Sequence, residues 1–185
     1  MIGLGHSVQD VEVFIMANNF KLTDNMLSRR VRKAALAYAR AGVPVFPVFG
    51  IEDGKCLCGK KNCEHEGKHP VVKGGFKEAT IDSDQIKQWW EEYPKSNIGS
   101  PLVEGLFALD FDGKKGKKAF EDLGLEEFET LRATTGKGFH LYVHAELKAK
   151  NDAMSGLDIR GGGEGGYIIL PPSRHVSGKR YQWEV

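Results

Sequence analysis

The stretch Leu106-Phe107-Ala108-Leu109-Asp110-Phe111-Asp112-Gly113 decides how the rest of the chain reads. Apolar residues run into an alternation that ends on glycine, the pattern of a buried strand reaching a polar edge. On a strand, residues two apart face the same way. Asp110 and Asp112 therefore share one side at ~7 Å, and Leu109 and Phe111 share the other. Two carboxylates so placed form a platform for a divalent cation. Taken alone, the pair also reads as a strand that simply ends in a turn at Gly113.

Two later stretches repeat this geometry. In Phe139-His140-Leu141-Tyr142-Val143-His144 the polar residues His140, Tyr142 and His144 fall on one face, and in Leu157-Asp158-Ile159-Arg160 so do Asp158 and Arg160. If these strands belong to one sheet, a third carboxylate, a histidine and an arginine join the aspartate pair. Two hard cations ~3.5–4 Å apart on substrate phosphates need several anionic ligands, and arginine recognises phosphate by paired hydrogen bonds. The competing reading of Asp158 and Arg160 is a surface ion pair.

Further out, Ser28 can cap a helix over about residues 29–41, with Val31, Ala35 and Tyr38 at helical spacing and Gly42 as its stop. Residues 43–49, rich in Val and Phe but holding Pro44 and Pro47, predict a strand at an edge or beside irregular backbone. Asp82 caps a second helix whose Ile86, Trp89, Trp90 and Tyr93 form one apolar stripe ended by Pro94, so the tryptophans read as core. One or two helical turns are expected between Ala119 and Leu131, broken at Gly124. A turn follows over Asn151–Gly156, then strands at Leu157–Arg160, Tyr167–Leu170 and Tyr181–Glu184, with the glycine run 161–166 as a hairpin connection. Helices first and mostly strands later argue an α+β fold with a mainly antiparallel sheet. Residues 1–27 read as an N-terminal extension with one short helix near Val8–Ala17, and 28–185 as a single domain.

Composition narrows the partners. Twenty-six Lys and Arg against 25 Asp and Glu leave a net charge of +1, which excludes a polycation that coats nucleic acid indiscriminately. No stretch approaches the ~20 apolar residues of a membrane span, and the N-terminus lacks a basic leader, so a cytoplasmic protein is expected. Gly136-Lys137-Gly138 could bring backbone amides to phosphate, but neither it nor the 161–166 run fits a Walker-type loop.

All three cysteines lie in Cys56-x-Cys58-x4-Cys63-x-His65-x3-His69, within a polar segment that has no other evident core. Three thiolates and an imidazole meet the needs of a four-coordinate zinc site, with His69 preferred as fourth ligand and His65 as the alternative. The inserted loop spans about residues 54–70. Lys55, Lys60, Lys61, Lys68, Lys73 and Lys77 outweigh Glu64 and Glu66 around it, a basic patch hidden by the neutral total.

Read in order, the chain resembles the N-terminal domain of bifunctional DNA primase/polymerases, the prim-pol branch of the archaeo-eukaryotic primase superfamily carried by plasmids, phages and integrated elements. The matching phrases include Ala35-Leu36-Ala37-Tyr38-Ala39, Pro44-Val45-Phe46-Pro47, Gly67-Lys68-His69-Pro70, Asn97-Ile98-Gly99, Leu109-Asp110-Phe111-Asp112, Gly156-Leu157-Asp158-Ile159-Arg160 and Gly166-Tyr167 through Pro171-Pro172-Ser173-x-His175. The resemblance implies an RNA-recognition-like catalytic core in which Asp110, Asp112 and Asp158 bind two Mg2+ or Mn2+ ions. It implies that His140 contacts the phosphates of an incoming nucleotide, with Arg160, Lys68, Gly138 and Ser173 in the same site. Many relatives have Ser-x-His where this chain has Gly138-Phe139-His140. Relatives with three cysteines ahead of Gly-Lys-His-Pro favour His69 as the zinc ligand.

The implied activity is template-directed nucleotidyl transfer on a single-stranded DNA template and primer, in a replication protein of a phage or plasmid. A C-terminal helical or helicase region of the same protein is the expected partner. The alternative is a replication-initiator module that binds single-stranded DNA without synthesis. Its weakness is that an anionic cluster repels phosphate unless cations fill it.

Overall fold

The computed structural model describes residues 27–163 and 166–184. Its elements, in chain order, are α1 (Leu27–Arg40), β1 (Phe46–Val48), β2 (Ile51–Glu52), β3 (Lys55–Cys56), a 3-10 turn (Gly75–Glu78), α2 (Ser83–Glu92), β4 (Asn97–Ser100), β5 (Leu106–Asp112), α3 (Gly113–Asp122), β6 (Arg132–Thr134), β7 (Gly138–His144), β8 (Lys150–Met154), β9 (Leu157–Gly161), β10 (Ile168–Leu170) and β11 (Gln182–Glu184). They form an α+β fold in which all strand pairs are antiparallel.

Local chemistry explains the helices. In α1, Val31, Ala35, Tyr38 and Ala39 fall on one buried stripe, and Gly42 follows its end. In α2, Asp82 accepts hydrogen bonds from the amides of Asp84 and Gln85 at 2.8 and 3.4 Å, the expected cap. Trp89 and Trp90 are buried, as their spacing indicated.

A small sheet runs β1-β4-β10, and a larger one runs β11-β6-β7-β5-β9-β8. Strand β1 sits at the edge of the small sheet, a position that suits Pro47, and Val45 and Val48 make isolated bridges to Thr80 and Pro70. The large sheet has two working faces. Leu109, Phe111, Phe139, Leu141 and Leu157 point outward and pack with Ala119 and Phe120 of α3. Leu106, Ala108, Ala133 and Tyr142 point the other way into a core shared with α1, α2 and the small sheet. Asp110 and Asp112 continue that inner face, so the site begins where the core ends.

Several sequence expectations need correction. The helix after β5 starts at Gly113 and ends at Asp122, because Gly116, Ala119 and Phe120 supply an apolar stripe that the lysines of 114–118 obscure. The segment expected as a turn at 151–156 is mostly strand β8, an irregular edge that is exposed except at Ala153, too little apolar content to mark a strand. Segment 161–166 is not a hairpin connection, since β9 and β10 lie in different sheets. Helix α1 begins before Ser28, which therefore lies inside its first turn. The short helix near Val8–Ala17 lies outside the described residues. Among the described residues no helix is long and apolar enough to cross a membrane.

Candidate active site and metal centre

Strand register assembles the acidic site. Asp110 on β5 faces His140 on β7 on one side and Asp158 on β9 on the other, so the three residues form one row across the sheet. Arg160 follows on the same face, opposite Ala108, and Asp112 pairs with Gly138 one step further out. The sequence could show that each strand had a polar face. Only the register places those faces side by side.

The row is internally bonded. His140 is buried, its Nε2 lies 3.3 Å from Asp110 Oδ1, and its Nδ1 lies 3.3 Å from the Tyr142 hydroxyl. Asp158 accepts from the Asp152 amide at 2.7 Å and pairs with Arg160 at 2.6 Å. The Asp158–Arg160 ion pair is therefore real, but it stands beside Asp110 on a part-buried face. Burial acts to raise the Asp110 carboxyl, yet the His140 hydrogen bond and the nearby charges of His140, Lys68 and Arg160 outweigh it and hold the group below its ordinary value. Asp110 is thus ionised at neutral pH.

Asp112 behaves differently. It is exposed at the N-cap position of α3, yet its carboxylate makes no capping bond. An aspartate there ordinarily caps, with a gain of about 1 kcal/mol. Its oxygens, and those of Asp110 and Asp158 on the same face, are a donor set suited to hard divalent cations.

A basic groove adjoins the row. Thr134, Thr135, Lys137, Gly138, Lys179 and Arg180 line a cavity of about 560 Å³ with no carboxylate among its lining residues. Lys68, Lys137 and Asp112 all bear electrostatically on His175, whose pKa is lowered by burial first and by the two lysines next. His175 lies over Gly136, where a Cβ would come 2.0 Å from the ring. Its Nδ1 accepts from the Ser177 amide at 3.1 Å, which leaves Nε2 to carry the ring proton. Lys137, Lys179, Arg180 and His175 escaped the reading of site residues from sequence. The signal available was Pro171-Pro172-Ser173-x-His175, whose histidine sits four residues before the Lys179-Arg180 pair.

Ser173 has another place. It is fully buried, and its Oγ accepts from the Ile98 amide at 2.9 Å, tying the segment after β10 to β4. Gly138 presents backbone only, because a Cβ would fall 1.8 Å from the Phe111 carbonyl oxygen.

The second constellation lies in the loop around β3. The ligand atoms of Cys56, Cys58, Cys63 and His69 all lie within 4.8 Å of one another, whereas His65 is exposed and outside the cluster. His69 Nε2 is 3.5 Å from Cys56 Sγ and 3.4 Å from Cys63 Sγ. The edge of a tetrahedron with Zn–S of ~2.3 Å and Zn–N of ~2.0 Å is ~3.5 Å, so these separations fit four ligands around one such ion. The Lys60 amide donates to Cys58 and lowers its thiol, while burial and the neighbouring thiols push Cys63 up to about 11. The first thiol ionises readily and the last resists. Burial, then Lys60 and His65, lower His69 and keep it neutral. A bound dication removes the resistance of the last thiol.

An antiparallel α+β domain with three aspartates and a histidine on one sheet face, a basic groove beside them and a Cys3His cluster that could hold a metal has the parts of an enzyme that handles phosphates. The chain belongs to the family of bifunctional DNA primase/polymerase N-terminal domains, whose family model, Prim-Pol, matches residues 35–185. It is accordingly a nucleotidyltransferase, with DNA and nucleotides as its substrates. A search of curated proteins finds no match.

Proposed function

We propose that the row of His140, Asp110 and Asp158, extended by Asp112, is the catalytic centre for template-directed extension of a DNA primer. The observation that carries this reading is the register that sets Asp110 between His140 and Asp158 while Asp112 leaves its helix uncapped. Asp110, Asp112 and Asp158 would hold two Mg2+ or Mn2+ ions. When bound, such ions neutralise phosphate charge and ease loss of the proton from an attacking hydroxyl. The 3′-oxygen of the primer forms a bond to the α-phosphorus of the nucleotide, the bond from that phosphorus to pyrophosphate breaks, and the hydroxyl proton leaves to solvent.

The protein groups position and stabilise. His140, held by Asp110 and Tyr142, points a ring nitrogen at the acidic row where phosphates would lie. Arg160 and Lys68 add positive charge at Asp110, and Lys137 and Lys179 supply cations for the polyphosphate tail in the adjoining groove. The Gly138 backbone lets that tail pass close to β7. The Cys56, Cys58, Cys63 and His69 cluster binds one structural zinc ion, since all four ligands are protein groups and none of the four positions is left for a substrate. The setting is a replication protein of a phage or plasmid.

The reading is tested by titrating Mn2+ into the protein by electron paramagnetic resonance, with and without nucleoside triphosphate. Nucleotide-dependent Mn2+ binding is expected in the native chain and its loss in the D110A/D112A double variant. Equal Mn2+ binding by both proteins would remove the assignment.

A further inference from the structure

The interior holds a polar side chain that neither the acidic row nor the metal loop uses. Asn97, the first residue of β4, is 2% exposed. Its Nδ2 donates to the Gly67 carbonyl at 2.9 Å and to the Arg174 carbonyl at 2.8 Å, and its Oδ1 accepts from the Arg174 amide at 2.8 Å. One carboxamide thus spends two donors and an acceptor on segments that lie 30 and 77 residues away. No apolar side chain could replace it without stranding three backbone groups, one buried at Gly67 and two half-buried at Arg174.

What these segments carry gives the contact its interest. Gly67 opens the run Gly67-Lys68-His69. Its amide points at Cys56 Sγ at 3.5 Å, and His69 completes the cysteine cluster. Lys68, between them, has its carbonyl held by the Tyr167 hydroxyl at 2.7 Å. Arg174 lies between Ser173, which bonds the next amide of β4 at Ile98, and His175. Strand β4 itself is the middle strand of its sheet, paired on both sides, and offers a rigid base. Lys68, on the first segment, bears electrostatically on both Asp110 and His175, and His175, on the second, lies over Gly136 in the turn that leads into β7.

We propose that Asn97 is a positioning residue, which clamps the metal-loop return at Gly67 and the turn at Arg174 in one register and so places Lys68 and His175 where the nucleotide's phosphates enter. This rests on the function proposed above. An aspartate at position 97 matches the size of asparagine but turns both donors into acceptors facing the Gly67 and Arg174 carbonyls. The clamp then opens while the metal ligands and the acidic row stay in place.

The test compares native protein with Asn97→Asp in primer extension over a range of nucleotide concentrations, alongside zinc content and thermal unfolding. N97D is expected to retain one zinc per chain, to raise KM for nucleotide about tenfold or more, and to change kcat by less than about threefold. In a K68A background the KM effect of N97D should shrink, because one of the two side chains that the clamp places is then gone. A variant whose KM equals that of the native chain, whether or not kcat falls with the folded fraction, would reduce Asn97 to a purely structural residue and overturn the proposal. So would an N97D effect on KM that is undiminished in the K68A background. If N97D does not accumulate folded, Asn97→Ser assayed in the cold takes its place under the same outcomes. A native chain that neither binds nor incorporates nucleotide would instead sink the functional reading.

Discussion

Glycine at position 138 is imposed by backbone contact, and a serine in its place should harm this protein. A Cβ there would sit 1.8 Å from the Phe111 carbonyl oxygen, whereas real Cβ contacts essentially never fall below 3.0 Å. The end of β7 must move away from β5 by about 1 Å or more, in a core that resists even a methylene. Overpacking of this kind costs about 1–3 kcal/mol, against ~0.4–1 kcal/mol that alanine gains by restricting the unfolded chain. At roughly 2–4 °C per kcal/mol for a chain of this size, Gly138→Ala should lower Tm by a few degrees, up to about 10 °C. Since Gly138 is paired with Asp112, the same movement displaces a proposed metal ligand, and primer extension should fall further than the folded fraction explains. Gly138→Ser carries the same Cβ and should behave alike. Thermal unfolding by circular dichroism and extension assays read both effects. An unchanged or raised Tm with full activity in either variant would refute the steric argument.

Acid should expose the role of Asp110. Its carboxyl is held below the ordinary value in the fold, so the stabilisation is present at neutral pH and is lost as pH falls through the depressed native value. Thermal unfolding of Asp110→Asn should therefore fall less steeply than that of the native chain below about pH 4, and parallel curves would count against the charge contacts described here. At the metal centre, His69→Ala should lose its zinc by elemental analysis and unfold at lower temperature, while His65→Ala should keep about one zinc per chain. The reverse pattern would transfer the ligand role to His65.

Much of this arrangement could be read from residue order because it rests on local chemistry. Alternation about Asp110 and Asp112 correctly sends Leu109 and Phe111 to the opposite face. The Asp82 cap and the buried Trp89 and Trp90 follow from spacing along one helix. The cysteines betray their cluster because few other roles explain three thiols in eight residues. What stayed hidden depends on non-local pairing or on weak apolar content. No local pattern says that β5 lies between β7 and β9, although that register builds the acidic row. Strand β8 is mostly exposed and begins with three polar residues, with Ala153 alone turned to the core cluster, so its pairing with β9 leaves little hydrophobic trace. The start of α3 is masked by lysines that face solvent. Ser173 joined the expected site only through the family resemblance, and its burial and its bond to the Ile98 amide of β4 depend on a pairing that no local pattern announces. The basic groove draws on residues 134–138 and 178–182, which meet through the pairing of β6 with β11.

The most direct measurement of the central claim is extension of a primed DNA template by the native chain and by D110A/D112A, with ribo- and deoxynucleotides offered separately and Mg2+ or Mn2+ present. The account predicts incorporation by the native chain and its loss, by at least about a thousandfold, in a double variant that keeps its zinc and its fold. Incorporation by the folded double variant at a rate near that of the native chain would contradict it.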